Sequence, residues 1–292
     1  MSLDSLKKEP FESSLSAKDY NSGKSARNVG EIFKTSDGSY CKVLGRESTR
    51  KVLITFIGEN GGAEAFVGAD KLKSGSVKNP LAPSVFGVGY LGLSGRGKLT
   101  DKAAYVTWKS MIQRGYSPAY LRSRPTYRGV TVCDEWKDFS CFVEWYENAD
   151  NAGRAGFELD KDITSPGERQ YNPNTASFIP YEINSLFVGC SRRVSGAGLP
   201  AGVYQNRKGY KAVIARYGNY EYLGAFKTAE EAFLEYKSAR EEYVLNVAKE
   251  HANDLKDKTL NSLLSFKQHK HHIELAGVKI PCTAWMNQGV AS

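Results

Sequence analysis

The segment from Leu199 to Glu250 leaves this chain the least conformational choice. Three runs rich in β-branched and aromatic residues, Gly202 to Asn206, Tyr210 to Tyr217 and Tyr220 to Phe226, are separated by the turn sequences Arg207-Lys208-Gly209 and Tyr217-Gly218-Asn219. Runs so closely joined pair as antiparallel neighbours. The middle run alternates, with Tyr210, Ala212, Ile214 and Arg216 projecting to one side and Lys211, Val213, Ala215 and Tyr217 to the other. Thr228 then stands three residues before Glu231 in a capping-box pattern, and the helix it opens runs through Ala232, Phe233, Tyr236, Ala239 and Tyr243 to about Glu250. The prediction is a three-stranded antiparallel sheet packed on a helix.

A second segment, Phe157 to Phe187, mixes regular structure with chemistry-bearing side chains. Phe157 and Leu159 begin a short strand, Asp160 and Asp162 flank Lys161, and Ser165-Pro166-Gly167 breaks the run. After Tyr171-Asn172-Pro173-Asn174, Ala176 to Ile179 reads as another strand, and Pro180 opens a helix carrying Glu182, Asn184 and Leu186. Strand, loop, strand and helix is the frame of a ββα metal site, which makes this segment the candidate active site.

Charge supports a nucleic-acid partner. The net charge is +8, and from Lys102 to Cys133 the bases Lys102, Lys109, Arg114, Arg122, Arg124 and Arg128 occur without a single acid, interleaved with Tyr105, Trp108, Tyr116, Tyr120 and Tyr127. Such a field suits phosphates, each contact releasing counterions, with Arg114, Arg122, Arg124 and Arg128 the expected backbone clamps; a solvated basic face is the alternative reading of this stretch. The sign then reverses: between Asp134 and Glu168 ten acids face only Lys137, Arg154 and Lys161. Acids set in a basic chain can hold a divalent cation beside phosphates.

The remaining chain fills in the organisation. Residues 1–28 read as a flexible arm. Short β-type runs at Tyr40 to Val43, Val52 to Ile57 and Ala65 to Val67 form a small module over 29–83. The glycines at 87, 89 and 92 have GxGxxG spacing, but no P-loop pattern occurs, and the stretch with its further glycines at 95 and 97 reads as a hinge. Asp101 to Gly115 is helical by pattern, and Trp136, Phe139, Phe142, Val143 and Tyr146 form the inner stripe of a supporting helix. Residues 256–292, with His269, His271 and His272, read as a surface tail. Five cysteines without a CxxC pair argue for reduced thiols. No apolar run of membrane length and no apolar leader at MSLDSLKKEPFESS are found, so no membrane partner and a cytoplasmic setting are expected.

Two resemblances sharpen this outline. Gly202-Val203-Tyr204, the basic middle strand Lys211 to Tyr217 and Tyr222-Leu223-Gly224-Ala225-Phe226-Lys227-Thr228-Ala229-Glu230-Glu231-Ala232 resemble the DNA-binding domain of the plant Apetala and ethylene-response-factor class. That likeness implies a sheet lying in the major groove of double-stranded DNA, with Arg207, Lys208, Lys211, Arg216 and Tyr220 as contact residues. Residues 81–187, through PSVFGVGYLG, YVTWKSMIQRGYS, VCDEWKDFSCFVEWY and LDKDI followed by YNPNTASFIPYEIN, resemble phage-encoded proteins allied to HNH homing endonucleases. This second likeness implies Asp160 as the hairpin ligand of Mg²⁺ or Mn²⁺ and Lys161 or Asp162 at the position of the general base. Asn172 or Asn174 would pin the loop, and Asn184 would be the helix ligand. No histidine precedes His251, so the imidazole usual to that chemistry is absent.

The expected fold class is therefore α+β: a small N-terminal β module, a central ββα-metal (HNH-like) region over 84–198, a sheet-plus-helix DNA-binding domain over 199–255, and a tail. The expected function is a metal-dependent, site-directed DNA endonuclease acting in a host cytoplasm. The alternative is a non-catalytic, sequence-specific DNA-binding or regulatory protein with a degenerate nuclease fold.

Overall fold

A computed structural model describes residues 28–187 and 198–281; the arm expected at 1–28, save its last residue, lies outside them. In chain order the elements are β1 (Ile32–Lys34), β2 (Tyr40–Arg46), β3 (Lys51–Ile57), β4 (Glu64–Gly68), α1 (Ala69–Lys73), α2 (Lys102–Tyr116), α3 (Pro118–Ser123), β5 (Thr131–Val132), α4 (Asp134–Lys137), α5 (Phe139–Asn148), β6 (Phe157–Asp160), β7 (Gln170–Tyr171), β8 (Ser177–Pro180), α6 (Tyr181–Ser185), β9 (Val203–Asn206), β10 (Gly209–Arg216), β11 (Asn219–Phe226), α7 (Ala229–Glu250), α8 (Asp257–Leu264), β12 (Lys267–Gln268), β13 (His272–Leu275) and β14 (Val278–Pro281). The fold is mixed α+β, with several small antiparallel sheets. It divides into two compact units, residues 1–105 with 135–142, and residues 106–134 with 143–292.

The first unit is built on the antiparallel sheet β1-β2-β3-β4. Strict alternation in KVLITFI buries Val52, Ile54 and Phe56 of β3, and Phe33, Cys41, Val43 and Leu72 complete the core. The glycine-studded stretch is not a hinge. Tyr90 donates its N–H to the Lys137 carbonyl at 3.0 Å and accepts from Phe139 N–H at 2.9 Å. Ser140 Oγ donates to the Leu91 carbonyl at 3.0 Å. Gly92, at φ +75°, lies so close that a Cβ there would meet Asp138 Oδ1 at 2.1 Å, so only glycine fits.

The second unit holds the two segments that most constrained the sequence. β6 and β8 pair antiparallel, Leu159 opposite Phe178 and Asp160 opposite Ser177, and α6 follows directly. β9, β10 and β11 form the expected meander. Its β10–β11 hairpin turns through Tyr217 at φ 49° and Gly218 at φ 79°, the double left-handed turn that matches strand twist. Tyr217 is held there by its own N–H donating to Tyr243 Oη at 3.0 Å. The capping box is present: Glu231 N–H donates to Thr228 Oγ1 at 3.2 Å, and Thr228 N–H to Glu231 Oε2 at 3.1 Å. Gly202, at φ +74°, lets β9 enter flat against α7, where a Cβ would meet the Tyr236 ring at 2.0 Å.

One core joins these parts. Ile163, Ile179, Ile183 and Phe187 pack with Val203 and Ile214 of the sheet, Tyr236 and Val247 of α7, and Leu263, Phe266, Ile273 and Leu275 beyond it. Arg240, buried on α7, donates to the Leu186 carbonyl. The apolar packing thus crosses the boundary expected at 199. The tail expected on the surface contributes α8 and the sheet β12-β13-β14, closed by a tight turn at Ala276-Gly277.

Candidate functional site

The segment from β6 to β7 uses its polar side chains internally. Asp160 is 4% exposed, and its Oδ2 accepts the N–H groups of Ile163 at 2.9 Å and Thr164 at 3.3 Å. Burial, and after it the charge of Asp162, pushes the Asp160 carboxyl up to about 6 despite those two bonds. This carboxylate fastens a turn. Its Oδ2 is engaged by these backbone groups and not by a neighbouring ligand side chain.

Lys161 is 2% exposed. Its Nζ is paired with Asp162 Oδ1 at 2.5 Å and donates to the Glu168 carbonyl at 3.1 Å. Burial works against the ammonium, but Asp162, with Tyr171 and Asp160, outweighs it and raises the pKa above the ordinary lysine value. A lysine acting as general base needs the opposite shift; in this structure Lys161 is held as an ion-paired cation.

The asparagines divide. Asn172 Oδ1 accepts the N–H groups of Asn174 at 2.9 Å and Thr175 at 3.1 Å, so this residue fastens its own loop. Asn174 is exposed and offers its carbonyl to Lys258 Nζ at 3.3 Å. Asn184 Nδ2 donates to Glu158 Oε2 at 2.6 Å. Asp160 and Asn184, expected to share one ion, therefore serve separate partners. Among the described residues no group of three or more His, Cys, Asp or Glu side chains is placed to hold a metal.

What the hairpin does present is a cleft of about 200 Å³. Lys161 and Asp162 line it with Tyr127, Glu168, Arg169 and Ile280 of β14. The contribution of β14 was not anticipated; its only sequence signal was the alternation of Ile273 and Leu275 before Ala276-Gly277.

The expected clamps fare unevenly. Arg114 Nη1 donates to the Leu159 carbonyl at 3.3 Å and to Tyr171 Oη at 3.1 Å, so it braces β6 and β7 from within. Arg124 lies 5.8 Å from the Tyr120 ring centroid and is half-buried, while Arg122 and Arg128 are exposed.

The sheet β9-β10-β11 has two unlike faces. Val203, Ala212 and Ile214 are buried toward α7. Arg216 shares their side by parity: its Nη2 donates to the Ala239 carbonyl at 3.1 Å, and Glu221 and Glu242 each lie 3.6 Å from its guanidinium. Arg216 is therefore withdrawn from the set of DNA contacts. Lys211 stands on the other face, 5.9 Å from the Tyr204 ring it pairs with. Val213 pairs with Tyr222, and Ala215 with Tyr220. Tyr220 is 73% exposed and Tyr222 61%. Arg207 and Lys208 are exposed at the β9–β10 turn. Tyr222 was missed in sequence although its spacing from Tyr220 in the strand announces a shared face.

Comparison with family models, curated proteins and solved structures gives no match. No helix among the described residues is long and apolar enough to cross a membrane.

Proposed function

We propose that this chain is a DNA-binding protein whose contact surface is the outer face of β9, β10 and β11 together with the Arg207-Lys208 turn. The supporting observation is the division of that sheet: its apolar side chains and Arg216 are turned to α7, and its outward side carries Lys211, Tyr220 and Tyr222 beside two exposed cations. Cations at the rim neutralise phosphates, and exposed rings supply surface for bases or sugars. Fluorescence anisotropy of the full chain with labelled DNA is the test. Binding should weaken steeply with salt, and replacing Arg207, Lys208 and Lys211 by Ala should lower the salt slope by about three. Equal affinity and slope in that triple variant would sink the assignment.

A second reading, the metal-dependent HNH-like endonuclease, is favoured by one observation: β6, β8 and α6 follow one another as hairpin and helix, and Lys161 and Asp162 line a cleft. In that reading Asp162 and Glu168 are better placed than Asp160 to meet Mg²⁺ or Mn²⁺, since both border the cleft. Nicking of plasmid DNA with either ion, lost in Asp162→Asn while DNA binding persists, would favour it. Absence of nicking in the wild type leaves the non-catalytic reading.

A further inference from the structure

The outer face of the sheet is poor in what reads a duplex and rich in what holds a separated strand. Major-groove readout depends on side chains that reach base edges, arginine above all. Of the arginines in these strands and turns, Arg216 is spent on Ala239, Glu221 and Glu242, and Arg207 sits at the hairpin tip. The face itself carries aromatic rings: Tyr220 and Tyr222 stand two residues apart on β11, and Tyr204 lies across on β9 beside Lys211. Their cross-strand partners Ala215 and Val213 are small, as is Ala225 opposite Lys211, so the rings stand above a low floor.

Spacing agrees with this reading. Side chains two apart on a strand are separated by roughly 6.6 Å. That is about twice the base step of roughly 3.4 Å in a B-form strand. Two neighbouring bases would each need to unstack to sit on their own tyrosine, which a single strand does at small cost and a duplex does not. Stacking on aromatic residues of an open sheet is a recurrent mode of single-strand recognition. Tyr217, although exposed, is not part of this row, because it lies in the left-handed turn after β10 and its ring packs on Tyr243 of α7.

We infer that the sheet takes single-stranded DNA, with bases stacked on Tyr220 and Tyr222 and the backbone drawn along Lys211 toward Arg207 and Lys208. This rests on the DNA-binding reading above and names the form of DNA that reading left open. The test uses the full chain and labelled strands of about 12 nucleotides, within the usual site-size range, as DNA, as the matching duplex and as RNA. The DNA strand should bind at least tenfold more tightly than the duplex. Tyr220→Ala and Tyr222→Ala should each weaken strand binding about tenfold, with Tyr→Phe at either position restoring it. Tighter duplex binding, tighter RNA binding, or strand affinity unmoved by both alanine variants would overturn the inference while leaving nucleic-acid binding in place. Failure to bind either form of DNA would remove the underlying reading as well.

Discussion

The β6–α6 hairpin and the β9–β11 sheet pose the same question with opposite answers. Both present charged and polar residues at short spacing, and both suggest a site. In the hairpin those groups face inward: Asp160 holds two backbone N–H groups, Lys161 is locked to Asp162, Arg114 braces two strands, and Asn184 is bonded to Glu158. In the sheet the inner face is satisfied by apolar packing and one arginine, and Lys211, Tyr220 and Tyr222 stand on the outer face. A polar side chain offers chemistry to solvent only when the local backbone does not already require it.

The largest expected effect that could break this contrast is at Asp160. Asp160→Ala leaves two buried N–H groups without their acceptor and should cost about 2–4 kcal/mol of unfolding free energy by urea titration. Unchanged stability together with lost DNA cleavage would return Asp160 to the role of metal ligand. The same residue has a pH signature. Its folded pKa is raised, to about 6, so protonation favours the folded state; its contribution is present below the unfolded carboxylate value and lost as pH rises through about 6. The wild type should lose stability relative to Asp160→Asn between about pH 4 and 6, and a difference of opposite sign would refute the assignment of the shift.

Next in size is Arg216. Arg216→Ala should lower stability by about 1–2 kcal/mol and leave DNA affinity unchanged once the protein is folded. Arg207→Ala should do the reverse, weakening binding without moving the melting temperature. If Arg216→Ala instead weakened binding in a fully folded protein, the two faces of the sheet would not be as distinct as their packing implies. The smallest effect is at the α7 cap, where Thr228→Ala should cost about 1 kcal/mol and alter neither binding nor its salt dependence, as read by thermal melting beside anisotropy.

The sheet was legible in the sequence because alternation, turn residues and the capping box agree with one another. The parity of β10 already placed Arg216 with Ala212 and Ile214, yet charge alone suggested a DNA contact; only the Ala239 carbonyl and the two glutamates fix what that guanidinium does. The hairpin was legible as strand, strand and helix, but not in its chemistry. A carboxylate that binds a cation and one that caps its own turn look alike in sequence, since the decisive partners of Asp160 are backbone groups three and four residues on. The strands after Lys267 were read as a tail because histidines and lysines hid the alternation of Ile273 and Leu275, whose burial depends on α7 and α8.

The apolar interior that joins Phe187, Val247 and Ile273 also sets a schedule for biosynthesis. At ordinary translation speeds roughly 4–17 s separate the emergence of Phe187 from that of Ile273. Throughout that interval the greasy sides of the hairpin and of the long helix lack their last covering strands. The nascent polypeptide is thus most vulnerable to misassociation just before β13 leaves the ribosome, and frameshifts or truncations ahead of that point should yield insoluble product rather than a shorter folded protein.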